Sequence, residues 1–149
     1  MAAESYETLA KAGPVVLGAG PAEATLVSDG ATSLTARLAA VAPARRLYLV
    51  LRGLRAEEPP ETVYEIHLGL PRGTTPAAGG FHFIGTLNFF NSAKEADLTR
   101  FHSYDVTDLV AALQARKAID DKLSVTIVPS RNPNTRVHPS IGEIALVVQ

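Results

Sequence analysis

Apolar side chains recur at every second position in four segments of this 149-residue chain, 47–51, 64–68, 123–127 and 144–148. Successive side chains of a β-strand point to opposite faces, so this spacing predicts strands with one buried face and one polar face. Such strands must bury their apolar faces against each other, which defines a candidate core. That core consists of Leu47, Leu49, Leu51, Tyr64, Ile66, Leu68, Leu123, Val125, Ile127, Ile144 and Leu146.

Weaker strand candidates occupy much of the remaining chain, and turn-forming Gly, Pro, Asn and Asp residues separate them. Eight or nine closely spaced strands favour an antiparallel sandwich or barrel over βαβ units. We therefore predict a mainly all-β fold, an antiparallel, jelly-roll-like β-sandwich of about eight strands. It is expected to form one domain over residues 13–149, after a leader at 1–12 that is frayed or helical. The weaker strand candidates are 14–17, 23–28, 33–38, 82–90 and 99–104.

In one segment the spacing of the apolar residues changes from every second position to about every 3.6 positions. Its apolar residues lie at i, i+3, i+4 and i+7, which predicts one short helix near 106–116 across an end of the sandwich. Asp105 is the predicted N-cap, and Arg116 and Lys117 suit the negative end of the helix dipole. The structural interpretation is a capped helix that closes the fold, and the functional one is a helix end that contacts an anion or a partner. The apolar residues are Val106, Leu109, Val110 and Leu113.

The composition excludes several classes of site. Lys and Arg number 14 and Asp and Glu 15, a net charge of −1, whereas a general nucleic-acid binder is normally basic. The absence of Cys excludes a disulfide scaffold, a Cys-ligated zinc site, an iron–sulfur cluster and a thiol nucleophile. Neither a phosphate-binding Gly motif nor a GxSxG elbow occurs. We therefore predict no catalytic residue, no metal site, no cofactor and no nucleic-acid partner.

The N-terminal segment does not predict targeting. Its first eleven residues carry two Glu and lack a basic region before an apolar run, so they do not form a signal peptide. The longest apolar stretches are far shorter than the ~20 residues that a membrane-spanning helix needs. We expect no membrane association, and the lack of a signal peptide favours the cytoplasm, although a Cys-free chain folds equally well in other compartments.

Histidine and phenylalanine supply the candidate binding residues. The four His residues include no pair at i, i+4, so no helical metal site is predicted, and half-exposed His on polar strand faces is the ordinary interpretation. Strand pairing can nevertheless bring His67 and His82 together, with Glu65 on the same strand face as His67. Phe89 and Phe90 fall on opposite faces of a strand candidate, so one ring is expected to face outward. These five residues form the predicted partner-binding face.

Six short motifs between about Arg45 and Gln149 occur in the order seen in the C-terminal domain of polyphenol oxidases and bacterial tyrosinase-like proteins, which this chain resembles. At 64–69 the plant proteins carry Phe-Asp-Val-Tyr-Val-Asn, so the match there is one of residue type. His67 stands where that strand has Tyr, which puts any contact of that Tyr in doubt. The motifs are 47–54 (Leu-Tyr-Leu-Val-Leu-Arg-Gly-Leu), 64–69 (Tyr-Glu-Ile-His-Leu-Gly), 83–87 (Phe-Ile-Gly-Thr-Leu), 105–110 (Asp-Val-Thr-Asp-Leu-Val), 123–129 (Leu-Ser-Val-Thr-Ile-Val-Pro) and 140–144 (Ser-Ile-Gly-Glu-Ile).

The resemblance implies a role without turnover. The catalytic domain of that family binds two coppers through six His on a helical bundle, whereas this chain has four His and one predicted helix. The chain would then be a non-catalytic domain that packs on, shields or assembles a type-3 copper oxidase core, in the same or another chain. The alternative is a free-standing binding or self-associating β-sandwich protein that uses the His67/His82 face.

Overall fold

A computed structural model of the chain describes residues 7–18, 20–28, 30, 32–56, 62–71, 73–74, 80–88, 101–119, 122–130 and 138–149. These residues form ten strands and two helices. In chain order they are β1 (Glu7–Ala12), β2 (Val15–Val16), β3 (Ala22–Ser28), α1 (Leu34–Ala39), β4 (Leu47–Arg52), β5 (Tyr64–Leu68), β6 (Phe83–Leu87), β7 (Phe101–Asp105), α2 (Thr107–Ala115), β8 (Lys122–Pro129), β9 (Ser140–Ile141) and β10 (Glu143–Val148).

Eight of the strands form one sheet in the order β6-β5-β8-β3-β1-β10-β4-β7, and β2 pairs with β9 in a small second sheet. Every neighbouring pair is antiparallel. The large sheet curls until its two edge strands approach each other, where the Tyr104 hydroxyl of β7 donates to the Thr86 carbonyl of β6 at 2.8 Å. The result is a nearly closed, barrel-like arrangement. The prediction of an all-β antiparallel fold of about eight main strands is confirmed.

The core lies inside this curled sheet. All eleven residues predicted from the alternation are buried, and none is more than 6% exposed. Strand register explains the result, because inward residues pair with inward residues, as in Leu49 with Leu146 and Leu26 with Leu123. Fully burying one Leu or Ile side chain stabilises the folded state by roughly 1.5–3 kcal/mol. The alternation is therefore the main source of stability and fixes the face that each strand turns outward.

Helix α2 (Thr107–Ala115) lies where the 3.6-residue period predicts a helix. Val110 and Leu113 are fully buried against the core, and Val106 just before the helix is buried as well. The helix therefore covers one end of the sheet, as predicted.

The start of α2 differs from the prediction in one position. Val106, and not Asp105, occupies the N-cap, and it makes no side-chain capping hydrogen bond. The Asp105 carboxylate accepts from the Thr107 backbone N–H at 3.0 Å and from the Thr107 hydroxyl at 2.7 Å. Its other oxygen accepts from the Arg46 guanidinium at 2.5 Å. Asp105 thus caps the helix from one residue further out, because β7 extends to Asp105 and delays the first helical residue.

Most of the weaker strand candidates contain strands. Segment 23–28 lies within β3, and segments 14–17, 82–90 and 99–104 overlap the short strands β2, β6 and β7.

Segment 33–38 does not form the predicted strand, because α1 occupies residues 34–39. Ser33 is its N-cap, and the Ser33 hydroxyl accepts from the Ala36 N–H at 3.2 Å. Leu34 and Leu38 are both buried. Their spacing of four residues fits a helix turn and also a strand face, and the N-cap decides between the two.

The predicted leader at 1–12 is wrong over residues 7–12, which form β1 between β3 and β10. A register shift between Thr8 and Ala10 places Leu9 and Ala10, which are consecutive, both in buried positions. This bulge breaks the alternation that revealed the other strands, and the small Ala side chains weaken the apolar signal further. Residues 1–6 lie outside the described part of the chain.

Candidate functional site

The outer face of β5 carries Glu65 and His67, which alternate with the core residues of that strand. His67 is nevertheless 1% exposed, so the prediction that it is half-exposed is wrong. On one side it pairs with Phe83 of β6, whose ring lies 5.7 Å from the imidazole between centroids. On the other side it pairs with Thr126 of β8, which is also buried. Side chains of both neighbouring strands thus flank the imidazole.

Glu65 is the charged neighbour of His67. The Glu65 Oε1 and His67 Nε2 atoms are 3.5 Å apart, and Nε2 is buried with no hydrogen-bond partner in the described structure. A protein metal site takes three or more side-chain ligands, and this pair supplies two. Within the residues that the structure describes, no group of three or more His, Cys, Asp and Glu side chains is placed to hold a metal ion.

His82 lies at the same end of the β5–β6 pair but makes different contacts. Its Nδ1 lies 2.9 Å from the Leu68 carbonyl oxygen, and the Leu68 N–H donates to the His82 carbonyl at 2.9 Å. A carbonyl only accepts, so this contact requires a proton on Nδ1. A register shift between Ile66 and His67 sets Phe83 opposite His67, and His82 opposite Leu68.

A groove of about 710 Å³ opens beside His82, between the end of α2, the residues after β5 and the start of β8. Phe81 forms part of its wall and is 42% exposed. The Arg116 guanidinium lies over the Phe81 ring at 4.0 Å from its centroid, and the His82 ring meets Phe81 edge-on at 4.9 Å. We call this surface the Phe81 groove. Its wall comprises Glu23, Thr25, Gly69, Leu70, Pro71, Phe81, His82, Leu113, Arg116, Lys117, Ala118, Lys122, Leu123 and Ser124.

The end of α2 positions the basic side of the groove. The Ala118 N–H donates to the Leu113 carbonyl at 2.9 Å, and the Lys117 N–H donates to the Gln114 carbonyl at 3.0 Å. This pair of bonds is a Schellman motif, whose C′ residue adopts a left-handed conformation and is most often Gly. Here that residue is Lys117, with φ of 54°. The motif therefore sets a cation at the groove in a conformation that side chains disfavour.

Of the five predicted binding residues, the structure brings Glu65 and His67 together and places His82 in the wall of the groove. Phe89 and Phe90 lie outside the described residues. Sequence reasoning missed Phe81 and interpreted Lys117 only as a partner of the helix dipole. The sequence feature that could have identified Phe81 is its position next to His82 in a Phe-rich segment. Its exposure could not be predicted, because it depends on the turn before β6.

Comparison with known proteins identifies the fold as one that occurs in plant polyphenol oxidases. The structure is similar to that of latent apple tyrosinase, with a TM-score of 0.57 and 16% identity over 91% of this chain and 27% of that one. It is also similar to recombinantly expressed latent aurone synthase, a polyphenol oxidase, with a TM-score of 0.54 and 10% identity over 89% of this chain and 25% of that one. This chain thus spans about a quarter of the length of those structures. At these identities the likeness concerns the fold alone.

A family model described as "Domain of unknown function (DUF7868)" matches residues 8–149, and the chain belongs to that family. No curated protein sequence matches the chain. Neither helix in the described part of the chain is long and apolar enough to cross a membrane. The resemblance to polyphenol oxidases that the motif order indicates is thus supported at the level of the fold.

Proposed function

We propose that this chain is a non-catalytic module that packs on a type-3 copper oxidase core and shields or assembles it. The observation that carries the proposal is the fold match, which covers 91% of this chain and only 27% of latent apple tyrosinase. The matched part is about a quarter of such a structure, so the remaining part is the partner against which the module would pack. The motif order from about Arg45 to Gln149 supports the C-terminal domain as the matching part.

The chemistry of the chain agrees with a role without turnover. The whole sequence holds four His, and the copper pair of the resembled family takes six. His67 is buried beside Phe83, and Nδ1 of His82 is engaged by a backbone carbonyl. The alternative of a free-standing protein that binds through the His67/His82 face receives less support, because His67 is 1% exposed.

A binding experiment with an oxidase core tests the proposal. The copper-loaded catalytic core of apple tyrosinase, produced without the part that this chain matches, is mixed with the purified chain. We expect a one-to-one complex in analytical ultracentrifugation and a lower initial rate of catechol oxidation. The matched control is Ile66→Asp, which places a carboxylate at a position that is 0% exposed and should neither fold nor bind. No complex at about 100 μM of each protein, a range that detects weak interfaces, would contradict the proposal.

A second measurement tests the absence of catalysis. The isolated chain is incubated with Cu²⁺ and catechol, and its oxidation rate is compared with that of free Cu²⁺ at the same concentration. We expect no excess rate, because the chain lacks a nucleophile–base pair and the ligand spacing of a copper site. A protein-dependent rate that saturates with catechol would assign the oxidase activity to this chain itself.

A further inference from the structure

The Phe81 groove has more cations than anions among its described residues. Arg116, Lys117 and Lys122 line it, and Glu23 is the one acidic residue in the described wall. Lys117 and Lys122 make no ion pair within the described structure. We propose that this groove receives an acidic segment of the partner protein. The inference rests on the proposed function and names the surface and the chemistry by which the module holds its partner.

The apolar part of the groove favours a peptide segment over a free inorganic anion. Leu70 and Pro71 line the groove together with Phe81, which is 42% exposed. A volume of about 710 Å³ lies within the ~300–1,000 Å³ range of pockets that bind molecules of drug size. A short extended segment can set its carbon atoms against these residues while its carboxylates face the cations.

Arg116 is prepared for a carboxylate by its contact with Phe81. The guanidinium carbon lies over the ring at 4.0 Å from its centroid, within the range of a cation–π interaction. The N–H donors lie in the plane of a guanidinium, so stacking on a ring leaves them available for a bidentate bond to a carboxylate. Holding the side chain in place before binding reduces the entropy that binding must remove.

Lys117 gives an independent indication. It occupies the left-handed C′ position of the Schellman motif, where Gly avoids the steric cost of a side chain. A residue that disfavours its own backbone conformation motivates a functional hypothesis for its side chain. For a purely structural helix end, Lys117→Gly should leave partner binding unchanged and raise the melting temperature.

The complex with the copper-loaded apple tyrosinase core provides the test, with dissociation constants measured by calorimetry. Charge reversal by Lys117→Glu or Lys122→Glu should weaken binding about tenfold or more, and added salt should weaken binding of the unmodified chain. Arg55→Glu is the matched control, because Arg55 is exposed, lies outside the groove wall and undergoes the same change of charge. Lys117→Gly should bind about threefold or more weakly, although its melting temperature is equal to or above that of the unmodified chain.

The outcomes separate the two proposals. If the unmodified chain does not bind the core, the proposed function fails. If it binds and both Lys→Glu variants bind as the Arg55→Glu control does, the groove inference is overturned and the proposed function stands. An equal loss in all three variants shows a general effect of net charge and also overturns the groove inference. Loss in the groove variants alone supports it.

Discussion

At the scale of single residues, a tight steric constraint lies between Gly85 of β6 and Tyr104 of β7. A Cβ atom at Gly85 would lie 2.8 Å from two ring carbons of Tyr104, closer than real Cβ contacts come. Gly85→Ala should therefore force the ring aside and destabilise the fold by about 1–3 kcal/mol, the usual cost of overpacking. Urea unfolding of the variant measures this change in the free energy of unfolding.

Two further variants isolate the contact. Gly18→Ala adds the same methyl group where no heavy atom lies within 4 Å, and its effect should stay within about 0.5 kcal/mol. In a Tyr104→Leu background the added cost of Gly85→Ala should shrink, because the ring is gone. An undiminished cost in that background would show that the backbone of β6, and not the ring, requires the glycine.

Tyr104 also gives the seam between β6 and β7 a dependence on pH. Burial raises the pKa of the Tyr104 phenol from 10.0 to about 12. A group whose pKa is higher in the folded than in the unfolded state stabilises the fold at a pH below its unfolded-state pKa. This stabilisation is lost as the pH rises through its folded-state pKa. Ionisation also removes the proton that the hydroxyl donates to the Thr86 carbonyl. We therefore expect the seam to weaken between pH 10 and about pH 12.

Tyr104→Phe tests this expectation. The difference in unfolding free energy between the unmodified chain and Tyr104→Phe should diminish as the pH rises from 10 to about 12. In the folded protein, the tyrosinate absorbance of the variant should lack the component that titrates near pH 12, whereas Tyr64, whose pKa burial also raises, still titrates late. A difference that is constant across this range would show that Tyr104 does not ionise there.

At the scale of elements, Asp105 links the end of β7 to the start of α2 and to Arg46. Desolvation raises the pKa of the Asp105 carboxyl, but hydrogen bonds from Arg46 and Thr107 outweigh it, so the pKa falls below the ordinary 3.8. A carboxyl with a depressed folded pKa stabilises the fold above its unfolded pKa, and this contribution is lost as the pH falls through the folded value. Asp105→Ala should therefore cost about 0.5–2 kcal/mol at neutral pH, like the loss of a helix cap.

The same variant distinguishes a structural from a functional role for this helix end. The cost of Asp105→Ala should decrease as the pH falls below about 4, where the unfolded carboxyl becomes protonated. Binding to the oxidase core should be unchanged, because both carboxylate oxygens are engaged by Arg46 and Thr107. The control is Glu143→Ala, which removes the exposed ion pair between Glu143 and Arg52, 3.9 Å apart. It should lower the free energy of unfolding by less than about 1 kcal/mol. A variant of Asp105 that keeps its stability and loses binding would make this helix end the binding face.

Elements with a clean period could be predicted from the sequence, and those with an interrupted period could not. The alternation of β4, β5, β8 and β10 predicts both the strands and their buried faces, because a single register error would invert every side chain. The sequence did not predict β1, because its bulge sets two consecutive residues inward and a bulge depends on the partner strand. It did not predict α1, because a pair of Leu residues four positions apart fits both a helix and a strand.

The candidate site was less predictable for the same kind of reason. Glu65 and His67 share a strand face, which a period of two predicts directly. The burial of His67 depends on Phe83 and Thr126, which two different strands supply. The Phe81 groove assembles residues from five parts of the chain, and no local sequence pattern predicts such an assembly.

At the scale of the whole molecule, stability depends on the closure of one sheet. Pairing runs without interruption from β6 to β7 through all eight strands, so most strands are held on both sides. The two edges meet through the Tyr104–Thr86 hydrogen bond. β6 and β7 are not neighbours in the backbone pairing, so this side-chain hydrogen bond, and not a further ladder, joins the two edges.

The position of β1 in this sheet predicts the result of shortening the chain. A chain that begins at Gly13 lacks β1, so β3 and β10 lose the strand that lies between them, and the buried Leu9 and Ala10 are removed from the core. Each strand would then carry an unpaired row of backbone groups beside a gap in the core. The free-energy cost of this gap exceeds a domain's net stability of about 5–15 kcal/mol. We expect this chain to show no cooperative thermal transition in circular dichroism. A synthetic peptide of residues 1–12 added in excess should restore the transition, and the same peptide with Leu9→Asp should not. A chain from Gly13 that unfolds cooperatively without the peptide would show that β1 is dispensable and that the fold can close without it.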